Sequence, residues 1–126
     1  MVDFERRRAL GRGTFITRDD VVKRNPLTLA DMLRAVRGLT VRSAGGRTEL
    51  RFARANARIA GPDCPPEIWI DGARAFDATV DEVRPDEVEG IELYRSLGQI
   101  PAEYLSRSSA CGLVLIWTRS PSRIAR

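Results

Sequence analysis

Three observations in the sequence predict a compact α+β domain. Two hydroxyl-to-acid patterns, Thr17-x-x-Asp20 and Thr28-x-x-Asp31, each precede an apolar run, which is how capped helices begin. Short alternating runs separated by glycine, proline and Asp-Gly breaks read as strands. The run Leu113-Val114-Leu115-Ile116-Trp117 is apolar on both faces, which calls for a central strand covered on both sides. Short helices mixed with several strands define the α+β class, and 126 residues are the size of one domain.

The elements follow in order. Arg6-Arg7-Arg8 is a basic run on a terminus expected to fray. Thr17 caps a first helix, with Asp20 in its first turn and Val21-Val22 following, and Asn25-Pro26 breaks it. In the second helix Leu29, Met32, Leu33 and Val36 share one face at i, i+3, i+4 and i+7, and Gly38 supplies the stop. Leu39 to Arg42 and Leu50 to Arg54 read as strands around an Ala44-Gly45-Gly46 turn, so a hairpin is expected. After Gly61-Pro62, Ile68-Trp69-Ile70 forms a strand closed by Asp71-Gly72. Val80 to Val83 and Pro85 to Val88 read as short helical turns, Ile91 to Tyr94 as a strand, and Ile100 to Leu105 as a short helix.

Composition narrows the function. The net charge is +4, and Lys23 is the single lysine among 21 basic residues. An arginine-rich surface suits phosphate or nucleic acid, but these arginines are scattered among 17 acids, which favours solvated faces. With no histidine, His-based triads, proton shuttles and His-containing metal sites are excluded. Ser106 to Gly112 has no base to activate a nucleophile and reads as a loop. Gly11-Arg12-Gly13 and Gly45-Gly46 lack the spacing of phosphate-binding loops. The acids Asp19-Asp20, Asp86-Glu87 and Glu89 sit at helix starts or turns, where capping explains them. No catalytic, cofactor-binding or metal residues are expected, and the chain does not read as an enzyme. No apolar stretch approaches the roughly 20 residues of a spanning helix. Met1 to Glu5 hold no signal-peptide core, so an exported protein would need a signal already removed or lying upstream in a longer chain.

Two cysteines can build neither a four-thiolate zinc site nor, at this spacing, a C-x-x-C motif. Cys64 and Cys111 each stand just before a predicted strand. If those strands are neighbours, the sulfurs come within disulfide reach, and a bridge would fit an oxidising periplasm. The alternative is two buried free thiols acting as small apolar residues.

Five segments taken together are similar to the plug domain of TonB-dependent outer-membrane receptors. They are Phe15 to Val21, the helix and strand from Leu29 to Val41, Ile68-Trp69-Ile70-Asp71-Gly72, Val88 to Arg95, and Ala110 to Arg119. Each is weak alone, and the order makes the resemblance specific over residues 14–119. The chain departs from the pattern at Arg37, where proline is usual, and at Ser96 and Cys111, where glycine is usual. With Cys64, the last change suggests a subgroup with a cysteine pair. No clear TonB box precedes the first helix, and the chain ends where a barrel would begin.

The resemblance implies a plug-like fold, a small mixed sheet with short helices, over residues 14–119. Residues 1–13 would be a linker or N-terminal extension and 120–126 a C-terminal tail. It implies a transport role without a cofactor, in which the plug closes a barrel and rearranges when TonB pulls on a preceding segment. The partners would be a β-barrel of the same or another chain, TonB indirectly, and an unknown small substrate, with nucleic acid disfavoured. The location would be the periplasmic side of the outer membrane, within a longer exported chain. In such receptors plug arginines pair with barrel glutamates; Arg95 matches one of them, and Arg51 or Arg54 would be a second. Loops Ala44-Gly45-Gly46-Arg47 and Ala55 to Pro62 would contribute to the substrate site. Two other readings stay open: a stand-alone periplasmic binding module with this fold, and a basic nucleic-acid-binding domain.

Overall fold

Thr17 and Thr28 cap the helices that the sequence placed after them. A computed structural model describes residues 1–53, 64–75, 80–105 and 110–119. Helix α1 (Val2–Leu10) leads into strand β1 (Thr14–Thr17) and then helix α2 (Arg18–Arg24). The Thr17 hydroxyl accepts from the Asp20 amide at 3.2 Å, and the Asp20 carboxylate accepts from the Thr17 amide at 2.8 Å. This reciprocal box satisfies two amides that the first helical turn leaves open. Asn25, left-handed at φ 46°, ends α2.

Helix α3 (Leu29–Leu33) starts on Thr28, whose hydroxyl accepts from the Asp31 amide. It is shorter than the apolar spacing predicts. Beyond Leu33 the chain tightens into three-residue turns, with the Val36 amide on the Leu33 carbonyl and the Leu39 amide on the Val36 carbonyl. The tighter winding keeps Val36 against the core and lets the chain reverse at Gly38, so that Leu39 enters the next strand buried.

Strands β2 (Leu39–Ala44) and β3 (Arg47–Phe52) form the predicted hairpin, a two-stranded sheet of its own. Gly45 and Gly46 stand at φ 59° and 79°, the left-handed pair that a two-residue hairpin turn needs. Strands β4 (Glu67–Ile70), β5 (Ala73–Arg74), β6 (Val88–Tyr94) and β7 (Leu113–Thr118) join β1 in a five-stranded sheet of order β1-β6-β7-β4-β5. β4 and β7 are parallel and the other pairs antiparallel, so the sheet is mixed. Short 3₁₀ turns lie at Val80–Glu82, Pro85–Glu87 and Ala102–Tyr104.

β7 lies in the middle of the sheet and is buried on both faces, as its apolar run demands. Ile16, Ile91, Leu93, Val114 and Ile116 point to one face, where α2, α3, the hairpin and Val80 to Val83 cover them. Tyr94, Leu113 and Leu115 point to the other, packed with Phe15, Trp69, Tyr104 and Trp117.

Three elements were not foreseen: β1, α1 and the two-residue β5. β1 escaped notice because four residues are too few to show alternation. Residues 1–13, read as a linker or extension, contain α1, which lies on the second face of the sheet. Its Phe4 is buried edge-on against Phe15, with ring centroids 5.6 Å apart. Gly90 makes the space, since a Cβ there would lie 2.8 Å from the Phe4 ring. Burying a phenylalanine contributes on the order of 1.5–3 kcal/mol, enough to hold a helix too short to persist alone.

Candidate functional site

The second face of the sheet carries a buried charge. On β6 the alternation that sends Ile91 and Leu93 into the main core turns Glu92 and Tyr94 the other way. Glu92 is 0% exposed, and an isolated carboxylate there would be prohibitively costly. Four donors satisfy it. Oε1 accepts from Arg7 Nε at 2.7 Å and from the Tyr94 hydroxyl at 2.6 Å. Oε2 accepts from Arg7 Nη2 at 2.8 Å and from Trp117 Nε1 at 2.7 Å. The guanidinium thus meets the carboxylate as a fork on a fork, the strongest form of this ion pair.

Arg7 also donates from Nη1 to Glu103 at 3.1 Å, and its guanidinium carbon lies 5.4 Å from the centre of the Tyr104 ring. Tyr104 in turn stands edge-on to Trp69. The bond to Glu92 raises the Arg7 pKa above its ordinary value against the opposing effect of burial, so the guanidinium stays charged. Burial, and then the bond to the Glu92 carboxylate, pushes the Tyr94 phenol well above its ordinary value. Burial likewise raises the Tyr104 phenol. The group holds a bidentate ion pair beside two phenols whose pKa values burial raises. Sequence reasoning missed it, although one signal was present: a lone acid at Glu92 between Ile91 and Leu93 in a core strand requires a cation.

The residues singled out in the sequence lie elsewhere. Cys64 and Cys111 are joined by a disulfide, with Cα atoms 5.6 Å apart. They stand before β4 and β7, the parallel neighbours, whose first link is the Glu67 amide on the Gly112 carbonyl at 3.0 Å. Gly45, Gly46 and Arg47 form the exposed hairpin tip. The hairpin is anchored to the Val80–Glu82 turn by Thr48, whose amide and hydroxyl donate to Asp81 at 2.8 and 2.6 Å.

Arg95 sits at the opposite end of the hairpin. Its guanidinium carbon lies 3.1 Å from where a Gly38 Cβ would be, and the Gly38 carbonyl accepts from the Ala53 amide. Among the described residues the Arg95 side chain has no carboxylate partner. The hairpin's strands, on the order of 17 Å long by strand rise, separate Arg95 from the Gly45-Gly46 tip. Arg51, part-buried on β3, donates to the Leu50 carbonyl at 2.8 Å and lies 4.0 Å from Glu49. Arg54 and the segment 55–62 lie outside the described residues.

No protein-family model matches this sequence, and no curated protein does. Solved structures do match. The siderophore receptor PirA from Pseudomonas aeruginosa is similar at 26% identity and a TM-score of 0.58, over 87% of this chain and 18% of that one. The ferric enterobactin receptor PfeA of Pseudomonas aeruginosa gives 21% and 0.63, over 87% and 18%. The RagAB peptide importer gives 15% and 0.57, over 85% and 12%. At the lower identities the likeness is one of fold. The chain spans less than a fifth of the length of these receptors. These neighbours are a siderophore receptor, a ferric enterobactin receptor and a peptide importer. In its mixed sheet, its order of segments and its match to one part of much longer receptors, the chain resembles, and has the fold of, the plug domain of TonB-dependent outer-membrane receptors.

Proposed function

We propose that the chain is the plug module of a TonB-dependent transporter, gating uptake of a substrate through a β-barrel of the same or another chain. The observation that carries this reading is the match over 87% of this chain to 18% of a siderophore receptor. A match of that size to one part of a much longer receptor is what the plug reading expects.

Arg95 supports the same reading. It is half-buried, has no carboxylate partner among the described residues and would find one on a barrel wall. Arg51 and Arg54 are further candidates for barrel-facing charges. The hairpin tip Gly45-Gly46-Arg47 is exposed and placed as a loop that reaches a substrate. The Cys64–Cys111 bridge suits the oxidising periplasmic side of the outer membrane. PirA and PfeA are receptors for a siderophore and for ferric enterobactin, and RagAB imports peptides, so the fold by itself selects no substrate class.

Antibodies raised against this domain and used on fractionated host membranes test the proposal. A much larger outer-membrane band is expected. A soluble band near 14 kDa would overturn it in favour of a stand-alone periplasmic binding module.

A further inference from the structure

Val22 and Leu27 are large apolar side chains left 59% and 90% exposed, and both border one groove. The groove has a volume of about 420 Å³ and runs between the end of α2 and the Pro85–Glu87 turn. Val21, Pro26 and Pro85 add to its apolar lining, and Arg18, Arg84 and Asp86 supply its charges. Asn25, left-handed at φ 46°, turns the chain out of α2, and Pro26 stiffens the loop that carries Leu27. A single exposed apolar residue is ordinary, but two on the rim of one groove mark a contact surface.

The charges around the groove are unbalanced. Arg18 is half-buried, and its Nη1 donates to the Pro85 and Val88 carbonyls at 3.1 and 2.9 Å. Among the described residues it has no carboxylate partner, and its Nε and Nη2 have no acceptor. Arg24 on α2 and Arg119 beside Asp86 also lack a carboxylate partner there. The nearby acids are engaged: Arg84 holds Asp86 and Glu87 at 3.4 and 2.8 Å, Asp20 serves the Thr17 cap, and Asp19 lines the neighbouring hollow beside α1. A guanidinium with open donors is completed by a carboxylate that meets it as a fork. Residues 120–126 follow Arg119 but bring Arg123 and Arg126 and no acid, so like charge disfavours them as the occupant.

We propose that this groove docks an extended acidic peptide segment of a partner protein, with one carboxylate on Arg18 and the adjacent apolar side chains on Val22 and Leu27. Arginine recognition of acidic motifs beside apolar pockets is a recurring mode of peptide binding. A concave groove walled by Pro26 and Pro85 around one half-buried guanidinium fits a carboxylate held in a fixed place. An anionic lipid surface is met instead by a convex cluster of fully exposed cations. The inference does not rest on the transport reading, and its failure would leave that reading standing.

The test titrates the full chain with an acetylated, amidated leucine-glutamate-leucine peptide while the Val22 and Leu27 methyl and Arg18 Nε–H resonances are followed. A saturable shift of all three is expected, at least tenfold weaker when glutamine replaces the glutamate. Leu27→Ser, at a position too exposed to bear on folding, should weaken binding at least fivefold. Arg18→Gln should erase the preference for glutamate over glutamine, which the loss of a merely structural arginine would not do. Should Arg18→Gln not fold, the glutamine peptide and Leu27→Ser decide the matter. No saturable shift, equal affinity for the two peptides, or binding unchanged by Leu27→Ser would overturn the proposal. So would broadening of the same resonances on phosphatidylglycerol vesicles while the peptide leaves them unmoved, which would assign the surface to a membrane.

Discussion

Arg7 and Glu92, 85 residues apart in sequence, share two parallel hydrogen bonds of 2.7 and 2.8 Å beneath a helix of nine residues. With side chains 4% and 0% exposed, neither charge can be satisfied by water if its partner is lost. Arg7→Ala should therefore lower stability by about 3–5 kcal/mol in urea unfolding. Glu92→Gln in the Arg7→Ala background should recover part of that loss, because it removes the stranded anion. A double-mutant cycle that gives simple additivity would show that the two charges do not act as a pair.

The bridge between Cys64 and Cys111 closes a 47-residue separation. On the chain-entropy argument such a loop is worth about 4 kcal/mol. Replacing both cysteines by serine should lower the midpoint of thermal unfolding by many degrees, and a thiol assay on denatured, unreduced protein should find neither sulfur free. Two titratable thiols in protein taken from the periplasm would contradict the bridge.

Asp20 gives the domain an acid-sensitive corner. Its carboxylate is held below the ordinary 3.8, first by the hydrogen bond from the Thr17 amide, against a smaller opposing effect of burial. A pKa depressed by folding contributes stability that is fully present above the ordinary value and is lost as pH falls through the lower folded value. Asp20→Asn should flatten that part of the stability profile below pH 4 and leave the neutral limb with the same slope. Stability measured by denaturant at stepped pH decides it. Thr17→Ala, which removes the hydroxyl half of the box, should cost about 1 kcal/mol at neutral pH.

Arg95 separates a role inside this domain from one toward a barrel. Because its side chain has no carboxylate partner among the described residues, Arg95→Ala should change the stability of the isolated chain by no more than about 0.5 kcal/mol. On the proposed plug reading, the same substitution made in the receptor that contains this domain should lower uptake or loosen the plug against detergent extraction. A large loss of stability in the isolated chain would assign Arg95 to the domain's own packing.

Much of the fold is legible in the sequence, because its signals are local. The hydroxyl caps at Thr17 and Thr28, the Gly45-Gly46 and Asp71-Gly72 turns, and the two-faced apolar run of β7 each act over a few residues. The disulfide was legible as a condition, that the strands after the two cysteines be neighbours, and β4 and β7 meet it. The extent of α3 was misjudged because apolar spacing at i+7 is equally served by a helix and by a helix that tightens before Gly38. The Glu92 cluster was missed for a different reason. Its residues come from α1, β6, β7 and the turn at Ala102–Tyr104, and nothing local ties Arg7 to an acid 85 positions away. A polar helix with two buried positions has too little apolar periodicity to be seen.

The disulfide has a mechanical side. It turns the chain between Cys64 and Cys111 into a covalent ring that contains β4, β5 and β6, while everything from α1 to β3 lies ahead of it. Tension drawn along the polypeptide passes through the sulfurs, across a Cα–Cα gap of 5.6 Å, and leaves the ring unstretched. Extended chain of that length would reach roughly 160 Å at about 3.4 Å per residue. With the bridge intact, a pull along the chain can extend the segments before Cys64 and after Cys111, while the strands inside the ring cannot be drawn out to their full length.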